Sequence, residues 1–179
     1  MKTARTTERL VQSVSCDPAS FRQAAARFPT GVTVITCIDE SGMMHGMTAN
    51  SFVSVSLSPP TVLISVKPGR MHAMIEADGR YAINILGATG ENISRHFSGR
   101  PQPGVAPEFH IDCGMPVLSE AIAHFVCNVT DSVRVHDHTL FIGNVITCGH
   151  KADSPLVFFG SRYCTPQTRD WLAHADAHS

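Results

Sequence analysis

The sequence predicts a mainly β fold with short helices, curled into a closed or half-closed barrel. Three observations point there. Many short β-branched runs alternate with turn residues, as in Val32–Ile38 and Thr61–Val66. Few helical segments lie between them, which argues against a doubly wound sheet. The 179 residues fit one domain able to enclose a real core.

The elements follow in order. Residues 1–15 have no clear period and read as a flexible tail. Asp17-Pro18 starts a helix, with Asp17 as the cap and Pro18 at the first helical position. Phe21, Ala24, Ala25 and Phe28 share one face of it, and Pro29 and Gly31 end it. Val32–Ile38 is apolar on both faces and is expected to be a central strand, followed by a turn at residues 39–42. Residues 43–57 give two extended segments, broken near Ala49-Asn50-Ser51. Strands are expected at 61–66 and 81–86, with short helices at 72–78 and about 90–97. Residues 98–116 carry Pro101, Pro103, Pro107 and Pro116 and read as a long irregular excursion. Strands at 123–133, 139–148 and 156–159 complete the domain, taken as residues 16–165, with 166–179 as a C-terminal tail.

Composition narrows the function classes. Net charge is −1 with no basic run, so nucleic acid is set aside as a partner. No run reaches the ~18 apolar residues of a membrane span. No apolar stretch follows the charged amino terminus, so no signal peptide is read there and a cytoplasmic location is expected. The six cysteines are widely spaced and form no C-x-x-C pair, so all are expected reduced. Cys37, Cys127 and Cys148 sit in apolar runs and read as small buried hydrophobes. The charged fraction of 16% is low against the usual ~25%, which suggests surface covered in a homodimer.

Four segments can carry chemistry. Residues 46–52 form a polar kink between apolar strands: Thr48 and Ser51 offer hydroxyls and Asn50 an amide, although an ordinary turn has the same spacing. Lys67 and Arg70 leave a buried strand together and can clamp a phosphate, or simply be solvated. Arg95-His96-Phe97-Ser98-Gly99 can close over a flat heterocycle, or be a helix end with a glycine stop. His136-Asp137-His138 pairs imidazoles with a carboxylate, but a third metal ligand is missing and no metal is assigned. Arg162-Tyr163 is either packing or a lid over a ligand. No dinucleotide fingerprint and no Walker loop occurs.

The ordered motifs Phe28-Pro29-Thr30-Gly31-Val32-Thr33-Val34, Gly46-Met47-Thr48-Ala49-Asn50-Ser51-Phe52, Pro59-Pro60, Gly79-Arg80-Tyr81-Ala82-Ile83-Asn84, Phe97-Ser98-Gly99 and His138-Thr139-Leu140-Phe141-Ile142-Gly143 resemble the flavin reductase family. The resemblance spans about residues 21–163 and is narrowest to the small reductase components of two-component flavin-dependent monooxygenases. It implies a split β-barrel of the FMN-binding type. The implied activity is transfer of a hydride from NADH or NADPH to FMN or FAD, with reduced flavin supplied to a partner monooxygenase. A non-enzymatic flavin-binding electron carrier is the alternative.

Roles follow by position. The resemblance lays Met44, His45, Gly46, Met47, Thr48, Ala49, Asn50 and Ser51 along the flavin ring and ribityl chain, with Thr30 nearby. Ser65, Val66 and Lys67 fall beside ring and phosphate, and Arg70 on the phosphate. His96, Phe97 and Ser98 close over the tail. His138 is the catalytic candidate, associated with nicotinamide binding and hydride transfer. The chain departs from the pattern at Met71, where a small hydroxyl residue is common, and at His136, where glycine is common.

Overall fold

The computed structural model describes residues 16–101 and 103–166. The expected tails at 1–15 and 166–179 lie outside the described residues, apart from Pro166.

Helix α1 spans Pro18–Ala25 and starts as the sequence predicts: Asp17 accepts the backbone N–H groups of Ala19 and Ser20 at 2.8 and 3.0 Å. Its apolar face does not enter the core, however. α1 buries no residue, and Phe21 and Phe28 are 64% and 74% exposed. The short strand β1 (Thr30–Gly31) leads into β2 (Thr33–Ile38), which is buried along almost its whole length. The Asp39 carboxylate accepts the N–H groups of Ser41 and Met43 and so shapes the turn into β3 (Met44–Ala49). Residues 50–52 connect β3 to β4 (Val53–Leu57), and β5 (Pro60–Val66) returns beside β4.

Helix α2 (Arg70–Asp78) sets Met71 and Ile75 into the core and ends on Gly79, whose φ of 69° needs a residue without a Cβ. The remaining elements are β6 (Arg80–Leu86), α3 (Glu91–Phe97), β7 (Phe109–Asp112), β8 (Met115–Leu118), β9 (Ala121–Val135), β10 (His138–His150), β11 (Val157–Phe159) and β12 (Arg162–Cys164).

Seven strands form one antiparallel sheet in the order β3-β2-β6-β9-β10-β5-β4. Its two edge strands, β3 and β4, are consecutive in the chain. The three residues between them therefore carry the chain from one edge of the sheet to the other, which is the half-closed barrel expected. Ser51 clips this crossing to β5: its hydroxyl donates to the Ser65 carbonyl and accepts the Ser65 N–H, both at 3.0 Å. A second sheet, β1-β11-β12, stands beside it.

The main core joins Ile35, Ile64, Val66, Ile75, Tyr81, Ile83 and Phe141 with Met47 and Phe52 packed against it. A smaller cluster of Val32, Val34, Leu86, Ile93, Leu118 and Leu156 lies under α3 and β11. Asn84 is fully buried yet satisfied: its amide donates to the Val34 carbonyl and Thr36 Oγ1, and its oxygen accepts the Leu118 N–H.

Two expectations are corrected. The excursion at 98–116 is not irregular throughout, because β7 and the start of β8 lie in it, turning at Cys113 and Gly114 with φ of 44° and 81°. Cys148 is exposed, whereas Cys37 and Cys127 are buried and their thiols are pushed up to about 12 by burial.

Candidate functional site

The pleat of β3 sorts its residues by face. Met47 and Ala49 point into the main core. Gly46 and Thr48 point the other way, toward α3: the Phe97 ring lies where a Gly46 Cβ would stand, and Thr48 Oγ1 donates to the Ser94 carbonyl at 2.6 Å. His45 is held by Asp39, Nε2 to Oδ2 at 2.7 Å, near the hairpin turn. That contact, after the stronger hydrogen bond from the Ser41 hydroxyl, keeps the Asp39 carboxyl well below the usual carboxylate range. Met44 is 39% exposed.

At the crossing from β3 to β4, Asn50 Nδ2 donates to Thr30 Oγ1 at 3.3 Å. Thr48, Ala49 and Asn50 here line a cavity of about 160 Å³ with Val32, Phe158 and Tyr163. The structure thus gathers Thr48, Ala49 and Asn50 at one pocket and sets Thr30 beside it. Ser51 and Ser65 meet each other instead, and Val66, only 1% exposed, is part of the core.

The C-terminus of α3 lies next to this pocket. Ser94 Oγ and Tyr163 Oη are 2.8 Å apart, so Thr48, Ser94 and Tyr163 form one polar chain. His96 packs edge-on against Phe97, and its buried Nδ1 has no hydrogen-bond partner. Ser98 lines a second cavity, of about 380 Å³, which shares Phe158 and Tyr163 with the first. Arg95, Arg100 and Arg162 surround it, with Glu91 and Ser161. Sequence reasoning did not place Arg100 in the site and left Arg162-Tyr163 open. The only signal was a cation beside an aromatic after the last strand.

Lys67, Arg70 and His138 lie elsewhere. Lys67 Nζ pairs with Asp137 at 3.0 Å. Arg70 lines a separate groove with Asp39, Asp78 and Arg80, not the pocket of Thr48 and Asn50. His138 Nδ1 is 2.9 Å from Asp137 Oδ1 and lines a cavity of about 130 Å³ with His72, Arg134, His136 and Thr139. His72 bridges Thr139 Oγ1 and Glu76 there. The bond from His138, and then that from Lys67, draws the Asp137 carboxyl down to about 2.

The pocket sets aromatic walls against short polar side chains. Its walls are the Phe158 and Tyr163 rings, its polar groups are short side chains, and the orphaned His96 Nδ1 sits on the adjoining helix.

Comparison with known proteins decides the family. The flavin reductase like domain matches residues 25–167. This chain belongs to the flavin reductase family. It is 46% identical over 155 residues to the NADH-dependent flavin reductase StyB of Pseudomonas fluorescens, covering 84% of this chain and 91% of that one. The solved structure of the styrene monooxygenase flavin reductase from Pseudomonas putida S12 aligns with a TM-score of 0.79 at 47% identity, over 83% of this chain and 97% of the other. A Streptomyces globisporus NADH:FAD oxidoreductase solved with NAD and FAD fragments aligns with a TM-score of 0.76 at 37% identity, over 86% of this chain and 94% of the other. The split-barrel fold expected from the sequence is the fold of these neighbours. Among the described residues no helix is long and apolar enough to cross a membrane.

Proposed function

We propose that this chain reduces free FMN or FAD with NADH or NADPH and supplies the reduced flavin to a partner monooxygenase. The observation that carries the reading is the pocket at the β3–β4 crossing, where Thr48 and Asn50 face the rings of Phe158 and Tyr163. The styrene monooxygenase flavin reductase, with its 47% identity, supports the partner class.

A flavin bound there supplies a ring that accepts a hydride, chemistry no side chain of this protein offers. The chain's own residues bind and orient. Asn50, steadied by Thr30, presents its amide at the pocket mouth. Thr48 is oriented by its bond to Ser94, and its oxygen keeps acceptor capacity for a ligand N–H. Phe158 and Tyr163 exclude water from one side. We assign His138 to the nicotinamide donor: Nδ1–H donates to Asp137, which leaves Nε2 to accept an N–H of the nicotinamide amide. Arg134, Glu76 and the imidazoles of His72 and His136 line the same cavity, so its charges offset and its hydrogen-bonding groups suit the nicotinamide amide.

We place the working protein in the cytoplasm as a homodimer. All six cysteines are free, which suits a reducing compartment.

The test is steady-state oxidation of NADH and NADPH crossed with added FMN and FAD. Turnover with at least one pair is expected. Flavin binding without turnover for any pair would leave a non-enzymatic electron carrier. His138→Ala is expected to raise the nicotinamide KM or lower kcat about tenfold or more, and retention of both constants would remove His138 from the reaction.

A further inference from the structure

We propose that His72 is a positioning residue for His138: clamped between Glu76 on α2 and Thr139 on β10, it fixes the start of the strand on which the His138 imidazole stands. The proposal rests on the assignment of His138 to the nicotinamide donor and deepens it.

The bonds come first. The His72 side chain is only 12% exposed, yet both of its ring nitrogens are engaged. Nδ1 lies 3.2 Å from Glu76 Oε2, one turn further along α2, and Nε2 lies 2.7 Å from Thr139 Oγ1. An ionised carboxylate only accepts, so Nδ1 carries the hydrogen toward Glu76, and the neutral ring accepts the Thr139 hydroxyl at Nε2. The ring also meets Phe141 edge-on, with centroids 5.3 Å apart. His72 thus holds β10 at Thr139 and Phe141, two buried residues on one side of the pleat.

Position comes second. Thr139 follows His138 directly, and it pairs with Val66 of β5 and Arg134 of β9. His72, Glu76, Arg134, His138 and Thr139 all line the cavity of about 130 Å³. A second tie reaches the same hairpin, from Lys67 to Asp137 at 3.0 Å, but its side chains are 65% and 70% exposed. An ion pair that wet is screened and holds the chain loosely. The imidazole clamp is the shielded tie, and it decides where His138 sits. A misplacement of about 1 Å at an orienting group can cost about a hundredfold in rate.

Steady-state kinetics of the full-length chain test this, with NADH and flavin varied in turn. His72→Phe keeps a ring against Phe141 and removes both polar contacts. Thr139→Val keeps the shape and removes the hydroxyl, and Thr139→Ser restores it. In His72→Phe and Thr139→Val, kcat/KM for NADH is expected to fall about tenfold, with the flavin KM changed less than about twofold. Thr139→Ser is expected to stay within about twofold of wild type. On a His138→Ala background, His72→Phe is expected to cause no further loss, because its effect passes through that imidazole. Unchanged NADH constants in His72→Phe would overturn the proposal. So would a parallel loss for flavin, or a loss that multiplies fully with that of His138→Ala. If His72→Phe does not fold by circular dichroism, Thr139→Val and its combination with His138→Ala decide by the same criteria. The single variant His138→Ala separates the two readings: an NADH loss there with none in His72→Phe sinks only the positioning role, whereas no loss in His138→Ala removes His138 itself.

Discussion

Single residues decide how closely α3 sits on the barrel. Gly46 is the clearest case, because a Cβ there would lie 2.5 Å from the Phe97 ring. That ring also contacts His96 and Phe109, so it has little room to retreat. Gly46→Ala is expected to destabilise the protein by about 1–3 kcal/mol, the usual cost of overpacking. For a domain near this size that is roughly 2–4 °C in Tm per kcal/mol. Thermal unfolding measures it, and a Tm within 1 °C of wild type would mean that Phe97 moves freely. Asn84 shows the opposite economy, since it is a buried amide whose three bonds tie β2, β6 and β8.

Among the elements, the β9–β10 hairpin turn concentrates charge. Asp137 there meets Lys67 from the end of β5 and His138 from its own strand. The bonds from His138 and then Lys67 hold its carboxyl at about 2, below the ordinary aspartate range. Folding is therefore favoured by the ionised carboxylate above pH ~4, and this contribution disappears as pH falls through about 2. Asp137→Asn is expected to lower Tm at neutral pH by a small amount and to converge on wild type near pH 2. A Tm difference independent of pH between 2 and 7 would show that the charge is not responsible. The same hairpin carries His136 at a φ of 52°, a conformation that favours glycine.

Elements were legible in the sequence where local chemistry was one-sided. Asp17-Pro18 announced α1, and the β-branched run at 33–38 announced β2. The β7–β8 hairpin was hidden because its turn is Cys113-Gly114 rather than Asn-Gly, and because Pro116 lies within β8. Proline is tolerated in this two-stranded ribbon, outside the large sheet. In the site, Thr48 and Asn50 stood out as polar residues between apolar strands. Arg95 and Arg162 stood out only in separate segments and Arg100 not at all, because the three are brought together only when β12 folds back beside α3.

At the scale of the whole molecule, one edge of the large sheet exposes apolar side chains. β4 reads Val53-Ser54-Val55-Ser56-Leu57, an alternation that normally turns its apolar face inward. Here Val53, Val55 and Leu57 are nonetheless exposed, at 50%, 54% and 88%, and Ser54 is exposed with them. β4 is also a free edge of the seven-stranded sheet, with unpaired backbone along one side. Apolar side chains on an open edge invite a second copy of the same surface. We therefore expect the wild type to run as a dimer in light scattering coupled to size exclusion, and Val55→Glu with Leu57→Glu to run as a monomer. The consequence reaches the flavin pocket, because β4 begins one residue after Phe52, at the end of the crossing that carries Asn50. Losing the partner frees that crossing on one side while its Ser51–Ser65 clip remains. The monomeric variant is expected to keep its fold by circular dichroism but to show a flavin KM raised several-fold. A dimeric double variant, or a monomer with unchanged flavin KM, would separate the β4 surface from assembly or assembly from the site.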